Sequence, residues 1–123
     1  MTPARAKVMS DLVEPFTVRA RLTGEEHNVR FSHLFSAVAT RHSDTIDCKF
    51  LVNGRGVVVA LAHPAFVEFR CRAGHSLSDE ETARIAAAYL RECLEADRDT
   101  DRTLLTVPAD EVLHLAEKLG LAH

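Results

Sequence analysis

His27 and Arg30 have the residue types and the spacing that could form a binding site for an anion. They stand just after a turn-forming segment, Thr23-Gly24-Glu25-Glu26. The apolar residues that follow are at i, i+3, i+4 and i+7, namely Phe31, Leu34, Phe35 and Val38. This spacing predicts a helix over residues 29–41, and the free amides at a helix start attract anions. The alternative interpretation is a solvated loop histidine beside an unrelated arginine.

The composition limits the class of protein. The chain has 123 residues, of which 46% are apolar and 27% are charged. This length is typical of one domain, and a chain of this size can bury a core without metals or disulfides. The net charge of −3 argues against a general nucleic-acid binder, which usually has a basic surface.

The cysteines and the hydrophobic pattern indicate a cytoplasmic protein. Cys48, Cys71 and Cys93 are odd in number and show no Cys-x-x-Cys spacing, so we expect reduced thiols. The longest apolar run, residues 57–62, is too short to span a membrane, and the first fourteen residues do not resemble a secretory signal. The histidines are scattered, so we expect no metal and no cofactor.

Alternating apolar residues predict strands at residues 16–22, 46–52 and 66–72, and a continuous apolar run predicts a further strand at residues 57–62. Asn53-Gly54 between the second and third strands is a strong hairpin signal. Ser78-Asp79-Glu80-Glu81 predicts a capping box and a helix that runs to about Glu95. A short strand near residues 104–107 and a last helix that begins at Pro108 and ends before Gly120 complete the chain.

These elements predict an α+β fold with two layers. We expect a mostly antiparallel four-stranded sheet with helices on one face, in the order β-α-β-β-β-α, and a C-terminal β-α extension. Residues 1–14 would form an N-terminal arm and residues 15–95 the main domain. Residues 96–123 would form a charged linker and a strand-helix extension that packs on the domain.

This order of elements resembles the histidine-containing phosphocarrier (HPr) family of the sugar phosphotransferase system over about residues 16–95. The matching segments are the first strand at residues 16–22, His27, Ser43-Asp44-Thr45-Ile46 with Asn53-Gly54, and Gly74-His75-Ser76-Leu77-Ser78-Asp79-Glu80. The resemblance implies a small cytoplasmic carrier rather than a turnover enzyme. It would accept phosphate on a ring nitrogen of His27, with Arg30 neutralising the charge, and exchange it with protein partners.

The chain departs from the family pattern at two places. The family motif is His-x-Arg-Pro, whereas His27-Asn28-Val29-Arg30-Phe31 has one extra residue and no proline. Only His63-Pro64-Ala65 stands where the family has its second helix. The alternative hypothesis is therefore a non-catalytic protein-protein interaction module on the same scaffold, which could form a homodimer.

The outer face of the predicted sheet is the second candidate site. In the HPr arrangement the first and fourth strands are neighbours, which would gather a basic patch of Arg19, Arg21, Arg70 and Arg72, with Lys49 beside it. Such a patch would bind an acidic partner or a nucleic-acid backbone, and the alternative is a solvated sheet face. No aromatic residue falls clearly on that face for base stacking, so nucleic acid is the less favoured ligand.

Overall fold

The structure, a computed structural model, describes residues 13–37, 45–96 and 103–121. Its elements in chain order are the strands β1 (Phe16–Arg19), β2 (Glu26–Ala37), β3 (Thr45–Val52) and β4 (Arg55–Ala62), the helices α1 (Pro64–Ala73) and α2 (Asp79–Glu95), the strand β5 (Leu104–Val107) and the helix α3 (Ala109–Lys118). Residues 1–12 of the expected N-terminal arm and residues 97–102 of the expected linker lie outside the described residues.

The strands form one five-stranded sheet in the order β1-β2-β3-β4-β5. The first four strands pair antiparallel, and β5 pairs parallel to β4. Parallel strands need a long crossover connection, and α1 and α2 lie within it. The α+β class is therefore confirmed. The expected four-stranded sheet and the order β-α-β-β-β-α are replaced by a mixed five-stranded sheet and the order β-β-β-β-α-α-β-α.

One face of this sheet is buried against the helices. Residues of period two on the strands point to that face, among them Val18, Val29, Phe50, Val59 and Val107. They share a single apolar cluster with buried residues of the helices, such as Ile85, Leu90, Val112 and Leu115. The rings of Phe31 and Phe50 meet edge to face in this cluster, with centroids 5.3 Å apart. The C-terminal strand and helix thus contribute to the same core as the strands that precede them.

The expected helix over residues 29–41 is wrong, because Glu26–Ala37 is a strand. Its pairing with β3 changes register between Phe31 and His33, which marks a β-bulge. The extra residue of a bulge shifts the period-two pattern by one position. Phe31 and Leu34 consequently face the same side of a strand at the i, i+3 spacing that is typical of a helix. The expected stop of this helix at residues 43–44 lies outside the described residues.

The expected fourth strand at residues 66–72 is also wrong, because Pro64–Ala73 is the helix α1. Of its apolar residues, Ala65 and Phe69 are buried, and they stand at the helical spacing i, i+4. Val67 is 55% exposed, so the alternation of Val67, Phe69 and Cys71 does not mark a buried sheet face. Gly74 ends the helix in the left-handed conformation, with φ 81°.

Two local predictions, the Asn53-Gly54 turn and the capping box, are confirmed. Asn53 and Gly54 have φ values of 53° and 85° and form the turn between β3 and β4. The Glu81 amide donates to Ser78 Oγ at 3.1 Å, and the Ser78 amide donates to Glu81 Oε1 at 2.9 Å, which is the capping box of α2. Within the described ranges, none of the helices combines the length and the apolar character needed to cross a membrane.

Candidate functional site

His27 lies near the start of β2 and points into the core. It pairs across the strands with Val18, and only 9% of its surface is exposed. The prediction that His27 precedes a helix is therefore wrong, because residues 26–37 are extended and no helix begins there. The backbone expected to offer free amides instead pairs with β1 and β3, and the Asn28 amide donates to the side chain of Asn53.

Asn53 connects the imidazole of His27 to the backbone of β2. The Asn28 amide donates to Asn53 Oδ1 at 2.8 Å, and the Asn53 amide donates to the Asn28 carbonyl at 2.8 Å. Because Oδ1 is the acceptor of a backbone amide, the orientation of the side chain is set, and its Nδ2 faces His27 Nδ1 at 3.2 Å. Nδ2 is a donor only, so Nδ1 must accept.

The hydrogen bond at Nδ1 determines the tautomer of His27. A neutral imidazole that accepts at Nδ1 has its proton on Nε2. That Nε2 is buried, and no hydrogen bond joins it to any residue that the structure describes. One ring nitrogen is thus occupied and the other is enclosed, so in this conformation the ring presents no accessible nucleophile.

Arg30 lies on the opposite face of β2 from His27. Successive side chains of a strand alternate between faces, so residues three apart point in opposite directions. Arg30 is exposed and is paired in register with Leu51 of β3. The structure does not bring the two residues together.

The four arginines expected to form one patch lie in two separate places. Arg19 on β1 makes a 2.8 Å ion pair with Glu26, and Arg21 lies 4.0 Å from Glu95 at the end of α2. Arg70 and Arg72 are on α1, which packs against β4 and α3. β1 and β4 are three strands apart in the sheet, and Arg70 and Arg72 lie on a helix rather than on a strand, so the expected patch does not form.

The side of the sheet away from the helices presents a different set of cations. We call it the open sheet face and define it by the outward residues Arg30, Lys49, Leu51, Val58 and Leu104. Across the strands, Arg30 is opposite Leu51, and Val58 lies between Lys49 and Leu104. Leu104 is 52% exposed, and Leu51 and Val58 are half-buried. The open sheet face therefore combines an apolar strip with two cations, and the carboxylate of Asp47, which accepts from Thr45 Oγ1 at 2.6 Å, stands on the same side of β3.

The cations of the open sheet face have no carboxylate partner among residues 13–37, 45–96 and 103–121. The ion pairs found there are formed by other cations, among them Arg19, Arg21, Arg72 and Lys118. The Lys49 stem crosses Gly56, where an added Cβ would lie 3.2 Å from Lys49 Cε. The outward position of Lys49 follows from the period of β3, whereas the pairing that sets Arg30 opposite Leu51 on the same side depends on how β2 and β3 associate.

The three cysteines differ in their surroundings. No disulfide links them, Cys48 and Cys93 are buried, and Cys71 is exposed on α1. Burial, with smaller contributions from Asp47 and Asp79, raises the pKa of the Cys48 thiol to about 12. A protonated, enclosed thiol is a poor nucleophile, so Cys48 acts as a small core residue.

Other potential sites are weaker. In the part of the chain that the structure describes, no three His, Cys, Asp or Glu side chains are grouped closely enough to hold a metal ion. A shallow groove of about 320 Å³ between α2 and α3 has Ala88, Leu115 and Leu119 in its lining. The ion pair of Lys118 Nζ with Glu92 Oε2, at 3.0 Å, stands on its rim. Nothing in this groove is arranged as a nucleophile and a base.

Comparisons of the chain with protein-family models, with curated proteins and with solved structures found no match.

Proposed function

We propose that this protein is a non-catalytic interaction module that binds an acidic segment of a partner protein on its open sheet face. The observation that supports this is the pair of cations, Arg30 and Lys49, beside the half-buried apolar side chains of Leu51 and Val58. Opposite charges accelerate association and select the partner, while burial of apolar area supplies much of the affinity.

The chemistry of the open sheet face favours a protein over a nucleic acid. Its apolar members Leu51, Val58 and Leu104 are aliphatic, whereas sheets that bind single-stranded RNA stack the bases on aromatic rings. The net charge of −3 would also oppose a polyanionic backbone. An acidic peptide needs only a local pair of cations and an apolar contact.

The phosphocarrier hypothesis remains a prediction. It requires an accessible nitrogen on His27 with a guanidinium in reach, and His27 and Arg30 point to opposite sides of β2. Incubation with phosphoenolpyruvate and the first enzyme of the phosphotransferase system tests it directly. Acid-labile phosphate that disappears in His27→Ala would favour the carrier over the interaction module.

We also infer a cytoplasmic location. The absence of disulfides among Cys48, Cys71 and Cys93 supports this inference, because exposed thiols persist in reducing compartments. A partner protein in the cytoplasm would have direct access to the open sheet face.

Fluorescence anisotropy with a labelled peptide tests the proposed function. The probe is a synthetic peptide in which glutamates alternate with leucine and threonine, and its counterpart has lysine at every glutamate position. We expect the acidic peptide to bind, with an affinity that falls as the salt concentration rises. The double variant Arg30→Glu and Lys49→Glu should weaken binding about tenfold or more, the effect of roughly 1.4 kcal/mol.

The matched control is Arg70→Glu with Arg84→Glu, which makes the same change of charge at exposed positions on α1 and α2. This control should bind the acidic peptide like the unmodified protein. An equal loss of affinity for the acidic peptide in both double variants would show that only the net charge matters, and it would contradict a binding site on the open sheet face. Tighter binding of a single-stranded oligonucleotide than of the peptide would make nucleic acid the ligand.

A further inference from the structure

We propose that β5 pairs antiparallel with β5 of a second copy of the chain, so that two five-stranded sheets join into one continuous sheet. This surface is the edge of the sheet, distinct from the open sheet face, and the inference does not depend on the acidic partner. It rests on the exposed backbone groups of β5, their symmetry and the uncharged sequence of the strand.

β5 is as short as β1, but it has none of the other features by which edge strands usually avoid pairing. Its four residues, LLTV, include no charge, no proline and no bulge. Edge strands in monomers usually have such features. At the other edge, β1 is short and has the charged Arg19, and the Arg21 amide just beyond it donates to the Glu95 carbonyl of α2 at 2.9 Å. Of the two edges, β5 is the one open to a further strand among the described residues.

The pairing with β4 shows which backbone groups are unused. The Val58 amide donates to the Thr103 carbonyl at 2.8 Å, so Thr103 directs its backbone toward β4. Backbone groups alternate along a parallel strand, so Leu105 and Val107 also face β4, while Leu104 and Thr106 turn their N–H and C=O groups outward. Pro108 follows with no N–H to donate, so the usable edge ends at Thr106.

This edge is complementary to itself. In an antiparallel arrangement about a two-fold axis, Leu104 would exchange both backbone hydrogen bonds with Thr106 of the second copy, and Thr106 with Leu104. Leu105 would then lie opposite Leu105, with both side chains on the face covered by helices. Each exposed donor meets an acceptor and no charge is buried, which is the isologous contact of a symmetric dimer.

Sedimentation velocity over the micromolar to millimolar range tests the proposal. We expect a monomer-dimer equilibrium in the unmodified protein. Thr106→Pro removes the outward N–H at a position where an edge strand tolerates proline, so the fold should be retained. The loss of two symmetry-related hydrogen bonds should weaken the dimer roughly tenfold or more.

Thr106→Val is the matched control, because it keeps the backbone N–H and the shape of the side chain and should dimerise like the unmodified protein. Hydrogen exchange of the unmodified protein is a second measurement that needs no variant. The amides of Leu104 and Thr106 should become more protected as the concentration rises, while that of Leu105 is protected throughout. A monomer at every concentration, or a dimer equally strong in Thr106→Pro, would overturn the proposal.

Discussion

Asn53 Nδ2 lies 3.2 Å from His27 Nδ1, and this contact determines which nitrogen of the buried imidazole carries the proton. The same Asn53 side chain accepts a hydrogen bond from the Asn28 amide. One residue of the β3–β4 turn is therefore hydrogen bonded to two neighbouring residues of β2, His27 and Asn28. The arrangement leaves His27 Nε2 as a buried donor without an acceptor.

The tautomer of His27 should depend on Asn53. We expect His27 to have its proton on Nε2 in the unmodified protein, because Nδ1 accepts from an amide. In Asn53→Asp a carboxylate oxygen faces Nδ1 instead, so Nδ1 should become protonated. Nitrogen-15 NMR of the imidazole distinguishes the two states. Asn28→Asp is the control, because Asn28 contacts Asn53 only through its backbone, and the Nδ1–H tautomer in the unmodified protein would contradict the prediction.

Replacement of His27 by an apolar residue should cost little stability. His27→Leu removes a buried N–H that has no acceptor, so we expect the free energy of unfolding to be unchanged or to rise by about 1 kcal/mol. Asn53→Gly keeps a residue that tolerates φ 53° but removes the partner of both Asn28 and His27, and should cost about 1–3 kcal/mol. Urea denaturation measures both variants, and a larger loss in His27→Leu than in Asn53→Gly would be inconsistent with this view of the site.

The three thiols should react at different rates. Cys71 is exposed, whereas Cys48 and Cys93 are buried, so a thiol reagent at neutral pH should modify one cysteine rapidly in the native protein and three in urea. Mass spectrometry after proteolysis locates the label. Cys71→Ser should abolish the rapid phase, and rapid labelling that persists in this variant would show that the core opens readily.

The raised pKa of Cys48 should make the protein less stable in alkali. Because burial raises the pKa of this thiol to about 12, the unfolded chain releases the proton at a lower pH than the native protein. The contribution to stability is complete below about pH 8.5 and declines as the pH rises from there toward 12. Urea denaturation as a function of pH measures the slope, which should be smaller in Cys48→Ala. An equal slope in that variant would assign the decline to other groups.

The capping box should stabilise α2. Ser78→Ala removes the acceptor of the Glu81 amide and should lower the free energy of unfolding by about 1 kcal/mol. Ser78→Asp retains an acceptor and should restore most of the loss, as measured by thermal or urea denaturation. The control is Ser76→Ala, at an exposed residue in the preceding loop, which should have little effect.

Elements that depend on residues close together in the chain could be predicted from the sequence alone. The positive φ of Asn53-Gly54, the reciprocal bonds of Ser78 and Glu81 and the final strand and helix each depend on residues that are close in the chain. For the same reason the α+β class could be predicted. Predicting these features requires no knowledge of which residues pack against them.

The strand β2, the helix α1 and the contacts of the candidate site depend on tertiary packing and could not be predicted in this way. Short apolar runs fit a strand or a helix equally well, and the bulge after Phe31 gives β2 the i, i+3 spacing of a helix. Pairing with β1 and β3 favours a strand at β2, and burial of Ala65 and Phe69 favours a helix at α1. The partner of His27 is 26 residues away, and the partner of Arg30 in the sheet, Leu51, is on the next strand. Such contacts depend on how distant segments pack, and local spacing carries no information about them.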